Sequence, residues 1–165
     1  MKFYQRRAVA LVVLILAILG SSAYGISRKP APLPEVQQYQ WISDEAGLLS
    51  QETRSVIESY NTAWNEKYYA VVAVAAVEDI SGRSPEEFAK ELGKAWGLGD
   101  HDMLLLLAKG EDYYVSLGNG LTMTDTQQTK LKTAIEPDYY GGDWDAAVVS
   151  FMRQADVIYA QVLGR

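Results

Sequence analysis

Cysteine is absent from this chain, and histidine occurs once, as His101. The first absence removes disulfides, thiolate nucleophiles and Cys-ligated zinc. The second removes every mechanism that needs two imidazoles, the two-His zinc-protease helix among them. No Gly-x-Ser-x-Gly elbow and no Walker loop occurs, and Gly118-Asn119-Gly120 lacks the third glycine of a dinucleotide fingerprint. No nucleotide or organic cofactor is therefore expected. A phosphatase built on Asp-x-Asp wants its acids just after a buried strand, as nucleophile and acid/base. Here Asp100-His101-Asp102 precedes one.

Acid is missing from the first 26 residues, which carry Lys2, Arg6 and Arg7 and then an unbroken apolar run, Ala8 to Leu19. Small residues follow, Gly20-Ser21-Ser22-Ala23. A basic flank, an apolar stretch and small residues form an export signal. Ser21-Ser22-Ala23 resembles a cleavage site, whereas the uncharged stretch Ala8 to Ile26 is long enough to span a bilayer. Residues 1–26 are read as a signal peptide or an N-terminal membrane anchor. Either way the basic flank stays in the cytoplasm and the remainder is exported. With the anchor kept, the protein sits in the cell membrane as a single-pass chain with its domain on the extracytoplasmic side.

The bases at the start leave 12 basic against 21 acidic residues in 27–165, a net −9. Such a surface is repelled by phosphate backbones, so nucleic acid is not an expected partner. Residues 27–38 form a Pro-rich linker, because prolines 30, 32 and 34 favour extended backbone. Residues 39–165 read as one α/β domain, long enough to fold without disulfides.

Within it, a helix runs from Gln51 to about Lys67, capped by Ser50, with Val56, Ile57, Tyr60, Ala63 and Trp64 on one face. Tyr69 to Val77 reads as a strand buried on both faces. Ser84-Pro85-Glu86-Glu87 is a helix start with a capping box, and Phe88, Leu92 and Trp96 form its buried stripe before Gly97 ends it. Met103 to Ala108 is a second apolar strand, joined to the first by a crossover whose default is parallel and right-handed. Tyr113 to Leu117 returns antiparallel after the turn at 109–112. A further helix begins near Thr124 or Asp125 and stops before Pro137, and Tyr139 to Gly142 is a loop. The last helix spans about Asp143 to Leu163. The expected fold is a three-layer α/β/α sandwich with a small mixed sheet.

The remaining chemistry lies in loop acids: Asp44-Glu45, Glu78-Asp79, Asp100-His101-Asp102, Asp143 and Asp145. Hard divalent cations take such oxygen ligands. Asp143 is better explained as a helix cap and Glu78-Asp79 as a solvated turn. His101 is read as a surface loop residue and the aromatics as core packing. That leaves Asp44, Asp100 and Asp102 as the candidate metal ligands, expected to converge on one Ca²⁺ or Mg²⁺ site. No catalytic nucleophile is assigned.

Six segments occur in a familiar order: Asp44-Glu45-Ala46-Gly47-Leu48-Leu49-Ser50, Val71 to Val77, Trp96-Gly97-Leu98-Gly99, Leu104 to Leu107, Gly118-Asn119-Gly120-Leu121, and Pro137 through Gly142-Asp143-Trp144. Together they resemble the TPM domain family, sometimes called TPM phosphatases. Its members include a plant thylakoid-lumen protein, a photosystem II accessory protein and a worm modulator of acetylcholine receptors. The resemblance implies an α/β/α sandwich facing a lumen or the cell exterior, Ca²⁺ binding by acidic loops, and phosphatase activity in some members. Asp44 matches the family's acid before Leu-Leu-Ser, and Asp100 and Asp102 match the polar loop before the apolar strand. Where the family usually shows Asn-Gly, this chain has Asp102-Met103.

Two functions are expected from these residues and the resemblance. The first is a non-enzymatic accessory module, tethered to the membrane and binding a membrane-protein partner. The alternative is a divalent-metal-dependent phosphatase in which the three aspartates hold a cation that orients water at a phosphoryl group.

Overall fold

The computed structural model describes residues 32–34 and 41–164. The export segment 1–26 and most of the linker lie outside the described residues. No helix among the described residues is long and apolar enough to cross a membrane.

The elements run β1 (Ile42–Asp44), α1 (Gln51–Tyr68), β2 (Val72–Val77), α2 (Pro85–Ala95), β3 (Met103–Ala108), β4 (Tyr114–Leu117), α3 (Asp125–Gly141) and α4 (Trp144–Val162). The strands form one sheet in the order β1-β2-β3-β4. The first three are parallel and β4 is antiparallel to β3.

All twelve residues of β2 and β3 are buried, as continuous apolar runs require of strands covered on both faces. Alternation sends Val72, Val74, Ala76, Met103, Leu105 and Leu107 into a core shared with α1, α3 and α4. The intervening Ala73, Ala75, Val77, Leu104, Leu106 and Ala108 meet Phe88, Ala89, Leu92 and Trp96 of the α2 region. The result is the expected α/β/α sandwich, with three helices on one face and one on the other. Both parallel crossovers step in the same direction across the sheet yet pass over opposite faces. They therefore have opposite hands, and one departs from the right-handed default.

The Ser84 box forms as read: its hydroxyl accepts from Glu87 N–H, and Glu87 reaches back to Ser84 N–H. Three expectations are corrected. Tyr69 is not the start of a strand: it is the left-handed cap of α1, with φ 52° and 84% exposure. The buried stripe of α1 is rotated to Thr53, Ile57, Asn61, Trp64 and Tyr68, with Ala63 exposed. Asn61 holds its buried place by donating to Val72 C=O at 2.9 Å and accepting from Val72 N–H at 2.8 Å.

The third correction is the largest. α3 does not stop before Pro137 but continues to Gly141, so Tyr139–Gly141 is helical and not loop. Proline costs the helix one internal bond. Burial of Leu131, Ile135 and Tyr139 at four-residue spacing offsets that loss. The Tyr139 hydroxyl donates to the carbonyls of Ala108 (3.2 Å) and Glu111 (2.8 Å), and its ring packs edge-on against Tyr113, Tyr140 and Trp144. Gly142, at φ 82°, then ends α3, and Asp143 caps α4 by accepting from Ala146 N–H.

Candidate functional site

Asp44 and the Asp100/Asp102 pair lie at opposite ends of the sheet. Asp44 closes β1 at its carboxyl end, in register with Ala76 and, through it, Leu107. Asp102 precedes the first residue of β3, five residues before Leu107, which is about 16 Å along a strand. The convergence expected of the three aspartates is therefore corrected: parallel strands put the end of one and the start of another at opposite poles. No group of three or more His, Asp and Glu among the described residues is arranged to share a metal ion.

The local bonding of these acids explains their positions. The Asp44 side chain is fully buried and accepts from Leu48 N–H (2.8 Å), Leu49 N–H (3.0 Å) and Arg54 Nη2 (2.6 Å). It folds the Glu45–Leu49 turn onto itself and pairs with a guanidinium from the first turns of α1. Asp102 accepts from Val71 N–H (2.9 Å) with one oxygen and Gly99 N–H (2.6 Å) with the other, tying the entry of β2 to that of β3. A Ca²⁺ or Mg²⁺ site gathers several oxygen ligands around one ion. At Asp44 a cation would meet the charged Arg54 guanidinium at 2.6 Å, and at Asp102 two amides already hold the carboxylate. With no third acid gathered beside either carboxylate, the described residues do not assemble a Ca²⁺ or Mg²⁺ site. Asp100 is exposed, and its backbone carbonyl accepts from Gly120 N–H at 2.9 Å.

That carbonyl accounts for the glycines at 118 and 120. Gly118 N–H donates to Asp102 C=O at 2.8 Å, and a Cβ on Gly118 would stand 2.3 Å from the Asp100 carbonyl oxygen. A Cβ on Gly120 would stand 2.8 Å from the ring of His101. The Gly-Asn-Gly turn is a seat for the 99–102 loop, made by close backbone approach. His101 itself is exposed there.

Asp100 and Asp102 border a small cleft of about 210 Å³, and a larger groove that combines apolar and acidic side chains lies between β4 and α3. This groove, of about 400 Å³, is lined by Val115 and Leu117 from the strand, Met123 from the following loop and Leu131 from the helix. Polar groups gather at Asp112, Tyr113, Glu136 and Tyr140, with Lys132 beside them. Tyr113 donates to Glu136 Oε1 at 3.1 Å, and Tyr140 donates to Asp112 Oδ1 at 3.2 Å. Burial, and then the Glu136 carboxylate, push the Tyr113 phenol far above the usual tyrosine range. Burial likewise raises Tyr139 beneath it to about 12, with the Asp112 charge adding to the effect. Both phenols are donors at any physiological pH. The sequence does not single these residues out, because Pro137 reads as a helix stop and the tyrosines as core packing. Tyrosine and acid recurring together, at 112–113 and again at 136–140, was the available signal.

The fold and its bonded loop acids define an α/β sandwich domain. The chain belongs to the TPM domain family, whose profile it matches over residues 42–157. It is 26% identical over 151 residues to UPF0603 protein Rv2345 of Mycobacterium tuberculosis, covering 87% of this chain and 22% of that protein. UPF0603 protein MT2410 of the same species matches equally. The chain thus spans about a fifth of the length of these curated relatives. Among solved structures, the N-terminal domain of a P. gingivalis protein superposes with a TM-score of 0.66 at 19% identity, covering 77% of this chain and 86% of that one. The N-terminal domain of cg2496 from Corynebacterium glutamicum gives 0.61 at 19% identity, covering 79% and 86%. BA42 from Bizionia argentinensis gives 0.60 at 14%, covering 70% and 83%. These likenesses establish the shared fold.

Proposed function

We propose that this TPM domain is an exported, membrane-tethered accessory module that binds a membrane-protein partner through the β4–α3 groove. The tether rests on the basic flank and apolar run of residues 1–26. The groove carries the binding half of the reading: it combines apolar side chains with two carboxylates that make no ion pair among the described residues. The rival, a metal-dependent phosphatase, draws no support from Asp44 or Asp102, whose oxygens are engaged by N–H donors.

The purified full chain is expected to release no phosphate from p-nitrophenyl phosphate above the buffer blank, whether Ca²⁺, Mg²⁺ or chelator is present. Turnover that requires metal and falls in Asp100→Asn would overturn the reading in favour of the phosphatase. In cells, a photo-crosslinking residue at position 140 should trap a protein of the membrane fraction, and protease added outside should reach the domain.

A further inference from the structure

We infer that the open edge of β4 takes up an extended, basic peptide segment of the partner as a fifth strand of the sheet. The inference rests on the binding-module reading and supplies its geometry and chemistry.

The phase of the β3–β4 ladder decides which backbone groups are available. Gly118 N–H donates to Asp102 C=O, and the register pairs Leu104 with Ser116 and Leu106 with Tyr114. Antiparallel pairs alternate between bonded and non-bonded. Tyr114 and Ser116 therefore turn their amides to β3, and Val115 and Leu117 turn theirs to the open side. Neither Val115 nor Leu117 has another backbone partner among the described residues. β4 is the last strand of the sheet, and its sequence Tyr-Val-Ser-Leu carries no lysine, proline or inward charge of the kind that blunts an edge. The opposite edge, β1, is only three residues long.

The same alternation places the Val115 and Leu117 side chains on the α3 face, where they line the groove. An added strand would set every second side chain into this groove against Met123 and Leu131. Backbone bonds would supply affinity and those alternate side chains selectivity.

Charge selects the occupant. Asp112 and Glu136 each accept one tyrosine hydroxyl and keep a second oxygen with no bonded partner among the described residues, where Lys132 is the one cation lining the groove. A Lys or Arg on the incoming strand would complete them. A second copy of this acidic chain would instead bring like charge to like charge.

A library of random heptapeptides displayed on phage, selected against the full chain, tests this. The enriched peptides should alternate apolar and polar residues and carry Lys or Arg at one end. Val115→Pro, which removes an outward N–H and leaves the ladder to β3 intact, should weaken their binding about tenfold. Asp112→Lys should weaken it about threefold, whereas Arg153→Ala, on the far side of α4, should leave it unchanged. For wild-type protein, N-methylating alternate amides along one edge of the peptide should abolish binding, and along the other edge should spare it. This arm needs no variant that folds. Enrichment of no peptide, or equal binding by both N-methylated forms, overturns the strand addition. A membrane protein crosslinked from position 60, on the α1–α4 side, in the face of that result would leave the accessory-module reading standing with a different surface.

Discussion

Two regions of this domain are rich in carboxylates, and they treat them in opposite ways. In the loops at the two ends of the parallel strands, Asp44 and Asp102 are closed by backbone amides and, for Asp44, by Arg54. At the β4–α3 groove, Asp112 and Glu136 each receive a single phenol and face solvent beside an unpaired strand edge. A cluster of acids in a sequence is thus open to a ligand only where the fold leaves oxygens over. Where amides converge on them, the same residues are fasteners.

The sharpest break between the two regions should come from removing a fastener. Asp44→Ala strips three donors of their acceptor and leaves Arg54 without its partner, and should cost about 3 kcal/mol in a denaturant titration. Glu136→Gln in the groove should change the same measurement by less than about 0.5 kcal/mol. Equal losses would mean that the groove acids are structural too. Gly118→Ala comes next, at about 2 kcal/mol, because the new Cβ meets backbone at 2.3 Å and backbone yields poorly. Gly141→Ala, with nothing within 4 Å, is the control and should be neutral or slightly stabilising. Ser84→Ala removes one cap from an exposed helix start and should cost about 1 kcal/mol.

Features whose causes are local in sequence were legible. The α2 start needs only Ser84, Pro85 and Glu87, all within one turn, and β3 needs only six consecutive apolar residues. The Asp143 cap is of the same kind. What escaped depends on distant partners. Asp102 was visible as an acid, but its amide donor Val71 lies 31 residues away, so fastening and metal ligation looked alike. The passage of α3 through Pro137 is held by Tyr139 reaching Ala108 and Glu111, neither of which a helical period reveals. β1 has three residues and exists only because β2 offers it an edge. The groove requires β4 and α3 to be neighbours, and so no single segment announces it.

The smallest expected effects separate the two regions by pH. Asp145, at the start of α4, accepts from Ser50 N–H at 2.9 Å and so belongs with the fasteners. Burial acts to raise its pKa, but bonds from the Thr53 side chain and from Ser50 prevail and hold it below the ordinary value. The unfolded chain therefore binds the proton first as pH falls. The stability Asp145 contributes is complete above about pH 4 and is lost as pH drops through the lower folded value. The tyrosines under the groove behave in the reverse sense. With Tyr139 raised to about 12, mainly by burial, the unfolded chain gives up its proton first as pH rises. That contribution is complete below about pH 10 and fades as pH climbs through the folded value. Stability measured across pH should therefore show an acid limb that flattens in Asp145→Asn and an alkaline limb that flattens in Tyr139→Phe. The second should flatten only in part, because Tyr113 and Tyr159 are raised as well. If Asp145→Asn instead altered the alkaline limb, the two regions would be coupled through α4 and could not be treated as a closed fastener and an open groove.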